Sequence, residues 1–325
     1  MPAPAKKPAK AGLQLGILPW NQSSTWAEQL ETAKRVDRLG YAHLWAWDHV
    51  NAIFGDWDQP ILDGWALLYA YAMVTEHTRL GLLVGANTFR NPGLQAKNAT
   101  SLDHISGGRA ILGIGAAWND KEHEAHGIRF GASPGQRLDW LDESAGLQRR
   151  ILDGELVTSS PAGHYAFLNA HQLPLPIQRR LPIMIGGSGE KKTLRTVARY
   201  ADMWNAMGPV PVMAHKIEVL RQHCADVGRD IADIEFTLGI KAMIRKTKAA
   251  ARKAHLAALA HNKTAASELD EDDTFWFGTS EQIAERLIPY VKLGFRTVIS
   301  EQPAPYDVET IEKLIGEVKP LVDKG

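Results

Sequence analysis

Apolar residues fall in short unbroken runs that alternate with amphipathic stretches along the chain. The runs LQLGIL (13–18), YAHLWAW (41–47), RLGLLVGA (79–86) and RAILGIG (109–115) predict strands in the first half. LPIMIGG (181–187), DMWNAM (202–207), DIEFTLGIKAMI (233–244) and FRTVIS (295–300) predict strands in the second. Such continuous apolarity suits strands covered on both faces. Between them the spacing predicts helices over 25–40, 63–78, 91–108, 189–201, 210–228, 279–294 and 308–323. End signals agree. Thr25 and Asp63 stand where a side-chain oxygen accepts from the first free N–H groups, Gly40 follows a helix end, and Thr279 with Gln282 forms a capping box. Eight strand–helix units predict one α/β domain over 12–325, a (β/α)8 TIM barrel. A doubly wound open sheet is the alternative with the same alternation.

Two segments exceed a minimal barrel. Residues 154–180 are rich in turn formers and read as a hairpin-like excursion between the fourth helix and the fifth strand. Residues 246–273 are alanine-rich and charged, and read as an extra surface helix plus loop. The opening MPAPAKKPAK has no apolar stretch of a secretory signal, so 1–11 reads as a disordered arm.

The charge balance, 37 basic against 37 acidic residues, argues against nucleic acid or an anionic membrane as the main partner. A single cysteine, Cys224, excludes an internal disulfide and fits a reducing cytosol. No apolar run approaches the roughly 20 residues that cross a bilayer. The expectation is a soluble cytoplasmic protein.

In a barrel of this kind, chemistry sits at the C-terminal ends of the strands. That rule selects Asp48 and His49, then Asn87 to Arg90, Gly115 to Asn119, Gly186 to Gly189, Trp204 with Asn205, and Ser300 with Glu301. The turn IGGSGEKKT either holds a phosphate on bare N–H groups and Ser188, with Lys191, Lys192 and Arg195 nearby, or is simply a tight turn that needs glycine. The histidines of HEAH (123–126) lie three apart, not at the H-E-x-x-H spacing, so no metal site is expected. No G-x-S-x-G elbow marks a serine hydrolase.

Residues 80–128, 181–205 and WAWDH (45–49) together resemble the bacterial luciferase-like superfamily of flavin- and F420-dependent oxidoreductases. The ordered set TFRNP, SGGR, G-x-G and IGG-x-GE-x-x-TLR-x-x-ARYAD carries the likeness over about 13–210, and the last third follows in outline. The resemblance implies a TIM-like barrel that binds reduced FMN, or coenzyme F420, at the strand C-termini. It implies a cis bond near Leu83–Val84 under the ring, with Asn87 among the coenzyme contacts. Gly115, Ala116 and Ala117 would flank the ring or ribityl chain, and Gly186, Gly187 and Ser188 the phosphate. Asp48 and His49 match the Asp–His pair of the F420-dependent glucose-6-phosphate dehydrogenases, with His49 as the proton-handling group and Asp48 orienting it. The glutamate those dehydrogenases carry after their G-x-G turn is Trp118 here, which argues against the same sugar phosphate reaction. Trp47, Trp57, Trp65, Trp118 and Trp204 are candidate walls for a flat substrate. The first expectation is an FMN-dependent monooxygenase using O2, with a separate flavin reductase and a homodimeric assembly. F420-dependent hydride transfer and non-catalytic flavin binding are the alternatives.

Overall fold

The computed structural model describes residues 12–265 and 275–325. The expected arm 1–11 and the end of the 246–273 insertion lie outside the described residues. The strands are β1 (Gln14–Pro19), β2 (His43–Ala46), β3 (Arg79–Leu82), β4 (Gly85–Ala86), β5 (Ala110–Gly115), β6 (Ile183–Gly186), β7 (Met203–Ala206), β8 (Glu235–Ile244), β9 (Phe275–Gly278) and β10 (Phe295–Gln302). They pair in parallel around a ring, and β10 meets both β1 and β8, so the barrel closes. β3 and β4 share one position in the ring, which gives eight positions and excludes the open-sheet alternative. β9 stands outside the eight. It pairs with the end of β8, Lys241–Ile244, beyond the last β8 residue paired with β7, Leu238.

The helices are α1 (Trp26–Arg38), α2 (Gly64–Val74), α3 (Pro92–Ser106), α4 (Asp120–His126), α5 (Pro134–Leu152), α6 (Thr193–Tyr200), α7 (Val210–Asp226), α8 (Lys248–His261) and α9 (Ser280–Leu293). The last helical run is α10 (Val308–Lys313), a π turn (Leu314–Val318) and α11 (Lys319–Lys324). The capping boxes of α1 and α9 form as the residue pattern specifies.

Strand alternation sorts side chains into two apolar layers. Leu44, Leu80, Leu112, Ile114 and Trp204 face the helices. Trp45, Ile111, Met184, Met203 and Ile299 fill the barrel centre. Burying a side chain such as Ile111 or Ile299 stabilises the fold by about 1.5–3 kcal/mol.

Three differences from the pattern have local causes. The second helix stops at Val74 instead of 78 because Thr75 is extended and Asp37 accepts the N–H groups of Glu76, His77 and Thr78, at 2.9, 3.0 and 2.9 Å. The third strand is interrupted at the Leu83–Val84 peptide, which is cis. The excursion 154–180 forms only a rudimentary hairpin, in which Val157 and Ala170 exchange two backbone bonds of 2.8 Å.

Candidate active site

A cavity of about 470 Å³ lies at the C-terminal ends of the strands, within the size range of small-molecule sites. The segment after β2 supplies Trp47, Asp48 and His49, and the loop beyond adds Ile53 and Phe54. Leu83 and Val84 form one wall, and Gly115, Ala116, Ala117 and Trp118 the next. Gly186, Gly187 and Thr193 follow, and Lys241 and Glu301 lie across the barrel mouth.

His49 and Asp48 separate at once. His49 Nδ1 lies 2.7 Å from Glu122 Oε2. Glu122 Oε1 accepts the N–H groups of Val50 at 2.8 Å and Asn51 at 3.2 Å. Burial pushes the Glu122 carboxyl up, but the His49 ring and those two N–H groups outweigh it and hold it below the ordinary glutamate value. A carboxylate only accepts, so in the neutral ring Nδ1 carries the hydrogen and Nε2 presents its lone pair. Nε2 has no hydrogen-bond partner among the described residues.

Asp48 does not orient His49, as the sequence suggested. Successive residues of an extended segment leave on opposite sides. Asp48 therefore turns to Arg90, whose Nη1 reaches its two oxygens at 2.7 and 2.6 Å, and to the Ala86 N–H at 2.9 Å. Burial pushes the Asp48 carboxyl up, against the pull of Arg90 and the Ala86 N–H. The pair ties β2 to the turn after β4.

The glycine positions make room for Val84 in this wall. A Cβ on Gly115 would come within 2.7 Å of Val84 Cγ2, and one on Gly186 within 3.0 Å of Val84 Cγ1. Gly187 has φ +119°, a conformation that suits glycine. Its N–H donates to the Asn205 carbonyl at 3.0 Å, and its own carbonyl accepts the Trp204 indole N–H at 2.8 Å. α6 starts beside this turn with no side-chain cap; the Leu194 N–H donates to the Gly189 carbonyl at 3.0 Å, and the N–H groups of Thr193 and Arg195 have no hydrogen-bond partner among the described residues. Thr193, at the start of that helix, lines the cavity and Ser188 does not. Lys192 is committed elsewhere, bonded to both Asp139 oxygens at 2.7 and 2.8 Å.

Other candidates fall outside the cavity. Asn87 is buried and donates to Tyr165 Oη at 2.9 Å. Trp65 sits on α2 in the outer core, and Trp204 faces the helix side of β7 because its neighbours Met203 and Asn205 take the inner side. Trp57 lies beyond the rim with the Lys121 ammonium 4.0 Å over its ring. Trp47 and Trp118 do line the cavity, and both rings flank His49 edge-on, at 6.1 and 5.7 Å. No group of acidic, histidine and cysteine side chains suits a metal among the described residues. The residues that sequence reasoning missed are Glu122, Phe54 and Lys241. Lys241 left one signal, a charge inside the apolar run GIKAMI.

Residues 13–297 match the family profile described as luciferase-like monooxygenase. The chain belongs to this family. It is 31% identical over 176 residues to an uncharacterized protein of Mycobacterium tuberculosis, covering 52% of this chain and 58% of that protein. It is 27% identical over 208 residues to the 4-hydroxyprotoasukamycin monooxygenase of Streptomyces nodosus subsp. asukaensis, covering 62% of this chain and 53% of that enzyme. The chain thus spans little more than half the length of these relatives. An F420-dependent secondary alcohol dehydrogenase in complex with an F420-acetone adduct has the same fold, with TM-score 0.81 at 18% identity, over 96% of this chain and 99% of that one. Luciferase-like proteins are oxidoreductases, and a flavin-type coenzyme would fit a cavity whose wall carries Val84, packed on Gly115 and Gly186, beside a helix start with no side-chain cap. No helix among the described residues is long and apolar enough to cross a membrane.

Proposed function

We propose that this protein is an FMN-dependent monooxygenase that uses O2 on a small planar heteroaromatic substrate. The observation that carries the reading is the apolar aromatic wall beside Val84. Trp47 and Phe54 lie 5.8 Å apart, and Phe54 stacks on Trp20 at 4.4 Å. Such a wall excludes water and accepts a flat ring by stacking. The match to a monooxygenase over 62% of this chain supports the same reading. Gly186, Gly187 and Thr193 would hold the coenzyme phosphate, and Val84 with Gly115 to Ala117 would flank its ring. Bound reduced FMN supplies two electrons to O2. The chain's own contribution is to bind, to keep the site dry, and to take a proton from the substrate at His49 Nε2, with Glu122 stabilising the protonated ring. A separate flavin reductase would deliver the reduced coenzyme, and a homodimer is the proposed assembly.

The His49–Glu122 dyad favours a second reading, F420-dependent hydride transfer. Removing a hydride from an alcohol carbon requires removal of the hydroxyl proton, which such a dyad can accept. One experiment separates the two. With FMN and a flavin reductase, substrate-dependent O2 consumption supports the first. Anaerobic, substrate-dependent change in the F420 absorbance band supports the second. Coenzyme binding without either turnover would leave only a flavin-binding role.

A further inference from the structure

Lys241 and Glu301 are direct partners across the β8–β10 ladder, so their side chains leave the same face of the sheet, into the barrel mouth. Both line the cavity, and both are buried, at 8% and 7% exposure. They do not pair with each other. Among the described residues Lys241 makes no hydrogen bond or ion pair, and its ammonium approaches only the Phe275 ring, at 5.9 Å. Glu301 accepts one bond, from the Trp20 indole N–H to Oε2 at 3.2 Å, and Oε1 has no partner among the described residues. Both side chains line the cavity, so the ammonium and Oε1 are left to bond with a ligand that enters it.

The chemistry of that ligand follows from the two signs. A lone ammonium would select a carboxylate, but Glu301 on the next strand repels a second anion. A lone carboxylate would select a cation, which Lys241 repels. Opposite charges on strands about 4.8 Å apart select a neutral group with an acceptor beside a donor. We propose that Lys241 and Glu301 together read one edge of the substrate. Lys241 donates to a ring carbonyl oxygen, and Glu301 Oε1 accepts from the adjacent ring N–H. The substrate class is therefore a cyclic amide, a lactam or related heteroaromatic ring. This rests on the reading of the cavity as a coenzyme site with room for a flat substrate, and it sharpens the specificity of that site.

The test is calorimetric titration of the full-length protein with 2-pyridone, N-methyl-2-pyridone and benzoate. The wild type is expected to bind 2-pyridone about tenfold more tightly than its N-methyl derivative, the factor expected for one lost hydrogen bond to a charged group, and more tightly than benzoate. Lys241→Met should weaken 2-pyridone by tenfold or more without lowering Tm. In Glu301→Gln the Trp20 indole keeps the amide oxygen, the NH2 faces the cavity, and the preference for 2-pyridone over its N-methyl derivative disappears. Equal affinity of the wild type for both pyridones, no binding of 2-pyridone, tighter binding of benzoate, or a fall in Tm for Lys241→Met would each overturn the proposal. FMN and F420 titrated on the same proteins keep the two readings apart. Lys241→Met is expected to hold coenzyme as the wild type does. A wild type that binds neither coenzyme would defeat the coenzyme reading, whereas the pyridone preference decides the edge-reading pair.

Discussion

Glu122 lies 73 positions beyond His49 in the chain, yet its carboxylate fixes which ring nitrogen of His49 stays free. Sequence reasoning found His49 because it follows a strand. The resemblance to the Asp–His pair of the F420-dependent glucose-6-phosphate dehydrogenases paired it with Asp48. Adjacency misleads here, since neighbours in extended backbone diverge and Arg90 captures Asp48. Two predictions belong to this scale. His49→Ala should lower turnover by about 10²–10⁴-fold while the coenzyme Kd stays within about twofold of wild type. Steady-state kinetics with a coenzyme titration checks this, and equal loss of both would contradict a proton-handling role. The second concerns Glu122. Its carboxyl is held below the ordinary value in the folded protein, so its contribution to stability is present above the ordinary glutamate range and fades as pH falls through the folded pKa. Tm measured against pH should show Glu122→Gln less stable than wild type at pH 7, with the gap narrowing below about pH 4.5. A gap independent of pH would mean that the carboxylate charge is not what holds the loop.

Elements in this barrel are placed by a few side chains that end or anchor them. Asp37, near the end of α1, receives three N–H groups and the Thr78 hydroxyl from the segment before β3. Burial pushes its carboxyl up, but these donors outweigh it and lower the pKa to about 2. Its stabilisation is therefore complete above its ordinary value near 3.8 and is lost as pH falls through about 2. Asp37→Asn should cost about 1–2 kcal/mol at pH 7 by denaturant unfolding, with a difference that shrinks as pH approaches 2. Trp204 acts from outside the cavity on the Gly187 turn. Trp204→Phe keeps most of the ring volume and removes the indole N–H, so coenzyme affinity should fall roughly 2–10-fold with little change in substrate affinity. Its sequence position suggested a pocket wall. The strand alternation of Met203 and Asn205 inward places Trp204 outward, a pattern visible in the sequence once the register of β7 is fixed.

For the whole molecule, the eight apolar runs read from the sequence are the eight positions of the barrel ring, because each must be covered inside and outside. The ninth pairing, β9 on the end of β8, escaped notice because Phe275–Gly278 directly follows the charged stretch read as a surface insertion and pairs along one edge. The strand-end rule selected the glycine turns and His49, the resemblance added Val84, and all of them line one mouth. Strand ends could not show which neighbours face in, so Asn87 and Ser188 were included while Lys241 was left out. In the proposed reading this mouth holds a flavin-type ring against Val84 and the Gly115 turn. Its most direct test is an equilibrium titration of FMN and F420 into the wild type and Gly115→Val, read by absorbance and tryptophan quenching. The wild type should bind at least one coenzyme with micromolar Kd, and Gly115→Val, which drives a branched side chain into Val84, should lose tenfold or more of that affinity. No binding of either coenzyme below millimolar, or equal affinity in the two proteins, would contradict it.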